Sequence, residues 1–322
     1  MTELEHNIDL APATITVVDA GAGSATDGMP VRARGYWEQV WRRFRRDKLA
    51  IAGGCFVVLL FLAAFVGAPL AAHLLGHGPN VPYQYPYNAL DSLGHPVGPF
   101  TRIRNSLDPT QSQLLILGAD SSLGRDEFLR LLYGAQVSIE VGIGATFFSS
   151  VIGIVLGATA GYFRGVTDTI ISRLTEVTMA FPFLLFAIAL SSTVGQRLNT
   201  VTFGFLGQGV FALVLIFSLF GWFYPARIIR SHILPHLIGP TIVISTLTVA
   251  SFVLAEAGLS FLGLGIQLPT ASWGNLLQSA ADYYLQQPWL MVWPGLAVLM
   301  TTLAFNLLGD GLRDAFDPRA SR

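Results

Sequence analysis

Trp222-Phe-Tyr-Pro-Ala-Arg-Ile-Ile-Arg-Ser-His-Ile-Leu-Pro235 joins two long apolar runs, Phe205–Tyr224 and Leu237–Gly265. Arg227, Arg230, His232 and the nearby His236 make the junction cationic. Positive charge between two membrane-length runs resists translocation and stays on the cytoplasmic side. The junction is therefore expected to be where a membrane protein meets a cytoplasmic partner.

The composition agrees with a membrane protein. The 322 residues are 52% hydrophobic and only 12% charged, with mean hydropathy +0.56. A soluble domain carries about 25% charged residues. The net charge of -1 gives no general attraction to nucleic acid. One cysteine, Cys55, excludes a disulfide framework or a cysteine-held zinc within the chain.

Six apolar runs are long enough to cross a bilayer: Leu49–Leu75, Val141–Phe163, Val177–Val194, Phe205–Tyr224, Leu237–Gly265 and Trp289–Leu308. An N-terminus inside puts only Arg102, Arg104, Arg125, Arg130 and Arg197 outside, which favours both termini in the cytoplasm. Residues 1–35 read as a disordered tail. Residues 36–48 carry Trp37, Val40, Trp41 and Phe44 at helical spacing beside Arg42, Arg43, Arg45 and Arg46. They read as an amphipathic helix for the headgroup region, or as a basic flank that fixes topology. Residues 76–136 form an extracytoplasmic segment, loop-like in its first half and helical at Asp126–Tyr133. The domain 137–309 holds the other five spans, and 310–322 is a cytoplasmic tail.

Candidate sites are few. Glu256 lies inside a span, where a carboxylate is either hydrogen-bonded to the structure or part of a translocation path. Glu140 lies at a span's edge, within reach of water. Gly153, Gly157 and Gly161 form a ridge that lets another helix approach closely. His232 and His236 have the spacing of a zinc helix, but Ile233 stands where its glutamate belongs and Pro235 breaks the turn. Asp120-Ser-Ser-Leu-Gly-Arg-Asp126 puts Gly124 at the fifth place, not the sixth, of a calcium loop, so a turn tied by Arg125 is expected instead. The only lysine, Lys48, follows no glycine-rich turn, so there is no P-loop. No catalytic group, metal or cofactor is expected, and any pumping draws on another subunit or an ion gradient.

Several runs together resemble one family, the second permease subunit of dipeptide, oligopeptide and nickel ABC importers. They are Gly118-Ala-Asp-Ser-Ser-Leu-Gly-Arg-Asp126 with Leu131-Leu-Tyr-Gly-Ala-Gln-Val-Ser138; Gly161-Tyr-Phe-Arg-Gly165 with Asp168, Arg173 and Phe181-Pro182; and Trp222, Ala226-Arg227, Arg230 and His232-Ile-Leu-Pro235. Glu256-Ala-Gly-Leu-Ser-Phe-Leu-Gly-Leu-Gly265, Ser272-Trp-Gly274, Pro288-Trp289, Pro294-Gly295 and Asn306-Leu-Leu-Gly-Asp-Gly-Leu-Arg-Asp314 complete the match. The resemblance covers Trp41 to Arg319. It implies an all-α integral membrane protein with six transmembrane helices in the type I ABC importer permease fold. It also implies a homologous permease partner, two cytoplasmic ABC ATPase subunits and an extracytoplasmic substrate-binding protein. The bilayer is its setting, and no residue of the family is catalytic. The positions carried over are Asp120, Gly124, Arg125 and Asp126 outside, Arg227, Arg230, His232 and Pro235 at the ATPase junction, and Gly309, Asp310, Arg313 and Asp314 in the tail.

This sequence departs from the family pattern. Ala119 replaces threonine, the loop before Gly124 is one residue longer, and Glu176 replaces aspartate. The family resemblance implies a coupling loop of roughly thirty residues with a Glu-Ala-Ala…Gly motif between the fourth and fifth spans. Here Ser231 alone separates Arg230 from His232. A link this short joins antiparallel helices and leaves no room for a docking helix. Three readings stand: a segment is missing from this sequence, the subunit is a natural deletion whose partner permease does the coupling, or the protein does not transport. An ion-coupled carrier using Glu256, or a non-transporting scaffold, are the alternative functions.

Overall fold

Helix α1 (Tyr36–Phe44) is short and ends in a turn at Arg45–Arg46. The chain is described here by a computed structural model that covers residues 36–191, 209–230 and 238–317. The tail at 1–35 and the residues Ser231 to Leu237, with His232, Pro235 and His236, lie outside the described residues. The Asp47 carboxylate accepts from the Leu49 and Ala50 amides and starts α2 (Lys48–Leu62). Pro69 lacks an amide hydrogen and crowds the turn before it. The helix accommodates it in one wide turn, Ala63–Gly67, before α3 (Ala68–Leu75). Gln136 Nε2 donates to Ala64 O within that turn at 2.6 Å. Lys48–Leu75 is the first span.

The outer segment expected over residues 76–136 carries short strands absent from that expectation. It holds two antiparallel ribbons, β1 (Thr101–Arg104) with β2 (Ser112–Leu115), and β3 (Ala119–Asp120) with β4 (Arg125–Asp126). Thr101 faces Leu115, and Asp120 faces Arg125. Tyr83, Ala89, Ile103, Leu115 and Ala119 give the segment a small core of its own.

Asp126 caps α4 (Glu127–Phe163) through the Phe128 and Leu129 amides. At about 1.5 Å per residue this 37-residue helix exceeds a bilayer core of about 30 Å, so its first turns belong to the outer segment. After it come α5 (Gly165–Ala180) and α6 (Phe183–Ser191), which meet at 80°. The span expected over Val177–Val194 is bent near its start. Pro182 forces Phe181 into an extended conformation (ψ 130°), and the helix breaks there. Five helices among the described residues are long and apolar enough to cross a membrane, and six crossings result when this bent pair counts as one; its end beyond Ser191 lies outside the described residues.

Helices α7 (Val210–Gly221) and α8 (Phe223–Arg230) form one span that runs six residues past the expected end at Tyr224. Then come α9 (Ile238–Phe261), a short helix α10 (Trp273–Ala280) and α11 (Trp289–Phe316). The tail drawn at 310–322 thus begins as the last turns of α11. Two apolar cores hold the bundle. One packs α4, α9, α10 and α11 around Trp273, the other α4, α7 and α9 around Phe217.

Candidate functional site

Three constellations gather the sequence-predicted residues. The outer one is a buried knot of charge. Asp120 takes Arg125 Nη2 at 2.8 Å on one oxygen and Arg125 Nε at 3.0 Å on the other. Arg130 Nε lies 2.7 Å from Asp120 Oδ2, and all three side chains are within 3% of full burial. The turn tied by Arg125 is therefore present. Gly124 has φ +65°, and a Cβ there would lie 2.9 Å from the Ala89 Cβ, so the turn needs glycine. Arg130 Nη1 also donates to Asn80 Oδ1 and to the Pro269 carbonyl. It thus ties the outer segment to the loop before α10. Burial pushes the Asp126 carboxyl up, against its two cap bonds and His77 at 3.6 Å. His77, Asn80, Glu127 and Arg130 escaped sequence reasoning. Only the Glu127–Arg130 spacing, one turn apart on a new helix, gave a signal.

Glu256 is fully buried. Ser138 Oγ donates to one of its oxygens at 2.6 Å and Ser260 Oγ to the other at 2.7 Å. The Trp273 amide, at the start of α10, reaches Ser138 Oγ at 3.5 Å, and the Ile266 amide donates to Ser260 Oγ. This geometry favours a structural hydrogen-bond role: the carboxylate clamps α4, α9 and the outer loop together. Glu140, by contrast, is exposed on the face of α4 turned away from the bundle.

At the opposite end of the bundle lies the junction. Arg230 grips Asp168 with Nε at 2.6 Å and Nη2 at 2.6 Å, and Nη1 donates to Ser172 Oγ at 2.9 Å. Arg227 Nη1 lies 3.5 Å from Met179 Sδ. Arg227, Arg230, Ser172 and Met179, with Gly157, Ala160 and Glu176, line a cavity of about 120 Å³. The glycine ridge explains the close approach of α4 and α8: Cβ atoms at Gly153 and Gly157 would lie 2.8 Å from Trp222 O and 2.6 Å from Ala226 O. The tail motif divides by role. Gly309 packs on Leu247 and Gly311 on Ala50, while Asp310, Arg313 and Asp314 are exposed. Among the described residues no group of His, Cys, Asp and Glu is arranged to hold a metal.

Apart from these lies an open apolar groove of about 770 Å³ between α6, the α7–α8 joint and α9, bordered by Phe183, Phe220, Tyr224, Leu247, Ser251 and Leu254.

Comparison with known proteins bears on all of this. Residues 153–231 and 225–322 match the model of the binding-protein-dependent transport system inner membrane component, in two overlapping pieces. Residues 35–94 match the N-terminal TM domain of oligopeptide transport permease C. The chain is 34% identical to the glutathione transport system permease protein GsiD of Pectobacterium atrosepticum, over 88% of this chain and 91% of the relative. It is 34% identical to the protein of that name from Escherichia coli O6:K15:H31, over 90% and 93%. It is 31% identical to the oligopeptide transport system permease protein OppC of Haemophilus influenzae, over 90% and 91%. The 301 aligned positions of the first comparison exceed the 88% of 322 residues that this chain supplies. That relative therefore carries residues with no counterpart here.

Proposed function

The chain belongs to the family of binding-protein-dependent transport system inner membrane components, and from that premise we propose that it is one permease of an ABC importer for peptides or a related small solute. Its companions are a homologous permease, two cytoplasmic ATPase subunits and an extracytoplasmic binding protein that selects the substrate. It resides in a bacterial inner membrane with both termini cytoplasmic. The observation that carries this reading is the likeness to peptide-type permeases along nine-tenths of the chain. The fold's sidedness supports it. The start of α2 meets the end of α11 at Ala50 and Gly311, and Phe316 meets Gly239 at the start of α9. The 76–126 segment and α10 lie at the other end, joined by Arg130.

On this reading Arg227, Arg230, His232 and Pro235 form the ATPase-facing junction. Asp310, Arg313 and Asp314 lie on the same face. Asp120, Gly124, Arg125 and Asp126 brace the platform that receives the binding protein. Substrate passes along the apolar groove beside α9, once the second permease closes it. Glu256 holds the outer end of that helix and does not touch substrate.

The coupling loop expected between Arg230 and His232 has no counterpart in the sequence. The two family matches meet at 225–231, which is where a deletion would divide them. The ATPases then act on the pair through the second permease. Co-expression with the other subunits tests this. The chain is expected to co-purify with both ATPases only when the second permease is present, and uptake of labelled peptide is expected to stop under vanadate. Gradient-driven uptake by the chain alone would contradict the reading.

A further inference from the structure

Helix α1 has no part in the scheme above, yet its surface is built for a ligand. Val40 is its buried contact, Trp37 meets Phe316 edge-on at 6.1 Å, and Arg43 Nη1 donates to the Asp317 carbonyl. The helix is thus held against the last residues of α11, and the capped start of α2 follows it after a three-residue turn. It lies at the ends of two spans.

Its outward surface pairs indoles with arginines. Trp37 is 57% exposed and Trp41 60%, with Trp41 stacked on Phe44. Arg42, Arg45, Arg46 and Lys48 are exposed beside them. Arg42, Arg43 and Arg46 line a cleft of about 250 Å³ with Gln39 and Glu38. Glu38 is the helix's sole acid, and its pair with Arg42 is long, at 3.6 Å, and solvated. The apolar part of this surface continues through Leu49 to Val58, Leu59 and Leu62, the exposed flank of the first span.

We propose that α1, held on the end of α11, is a docking surface for anionic phospholipid headgroups, with Arg42, Arg45 and Arg46 taking the phosphates and Trp37 and Trp41 lying at the headgroup level. The proposal rests only on the chain spanning a bilayer, not on transport. Continuity with the lipid-facing flank of α2 selects lipid over a soluble protein. Indoles belong at the membrane interface, and each arginine near an anionic surface adds to the attraction.

The full chain in nanodiscs provides the test. The quencher is brominated-chain phosphatidylglycerol or brominated-chain phosphatidylcholine, diluted in unlabelled phosphatidylcholine. The signal of the two indoles is the difference between the native chain and the Trp37→Phe/Trp41→Phe variant. Phosphatidylglycerol is expected to quench that signal at a concentration lower by on the order of tenfold, and high salt is expected to abolish the preference. Arg42→Gln/Arg45→Gln/Arg46→Gln should abolish it too; the salt arm needs no variant to fold. Equal quenching by the two lipids, or none by either as under a protein partner, would overturn the proposal.

Discussion

Asp120 lies between two guanidinium groups in a site closed to water, and this makes the outer knot sensitive to single changes. Removing one partner of a buried ion pair strands the other charge and costs about 3–5 kcal/mol. Asp120→Ala takes the shared partner from both buried guanidinium groups and is therefore expected to lower the unfolding free energy of the detergent-solubilised chain by about that much. The exposed pair Arg173–Glu176, at 2.7 Å, is worth less than about 1 kcal/mol, and Arg173→Ala is the control. Asp126 gives the knot a pH dependence. Burial raises its pKa from 3.8, so the fold favours the protonated acid. Its stabilising contribution is complete below 3.8 and is lost as pH rises through the raised value. Asp126→Asn keeps a capping side chain and removes that loss. The variant's melting temperature, relative to the native chain, is expected to climb as pH rises across that window; a flat difference would contradict the assignment. Glu256 allows a third comparison. Glu256→Gln keeps an acceptor for Ser138 or Ser260 and should cost about 1 kcal/mol, whereas Glu256→Ala strands both buried hydroxyls and should cost about 3 kcal/mol. If Glu256→Gln abolished uptake while leaving the melt unchanged, the carboxylate would be a path residue and not a clamp.

At the scale of elements, the α4–α8 contact depends on absent side chains. Gly157→Val puts a branched side chain where a Cβ alone would be 2.6 Å from Ala226 O, and overpacking of this kind costs about 1–3 kcal/mol. The expected outcome is a lower melting temperature with a widened α4–α8 separation, measured between spin labels on exposed Val155 and Tyr224. An unchanged separation would contradict the packing described. The ridge was legible because glycines four apart mark one helix face. The spans were legible too, since apolar length alone reports them. Other features were not. The break at Phe181–Pro182 lay inside an unbroken apolar run, and reading hydropathy alone gives Pro182 no weight. The β-ribbons are two to four residues long and polar, too short for alternation to register. Asp168 is 62 residues from Arg230 in sequence, so their bidentate pair emerges only when α5 folds back on α8.

At the scale of the whole molecule, the chain has an open apolar groove beside α9 and a closed, charge-knotted cap at one end. Under the proposed function a second permease covers the groove and receives force from the ATPases in place of the short junction at Arg230. The sequence disclosed the class of molecule and the short junction. It could not disclose which buried carboxylate is structural, because that depends on the serines of α4 and α9 converging on Glu256. The central claim is that movement here is powered by ATP hydrolysed elsewhere in a complex. The most direct measurement is uptake of labelled peptide by proteoliposomes holding the complete complex, with binding protein outside and ATP inside. The account predicts uptake that requires ATP and the second permease and persists when ion gradients are collapsed. Uptake that survives without ATP and vanishes with the gradient would contradict it, as would a complete complex that hydrolyses ATP yet moves nothing.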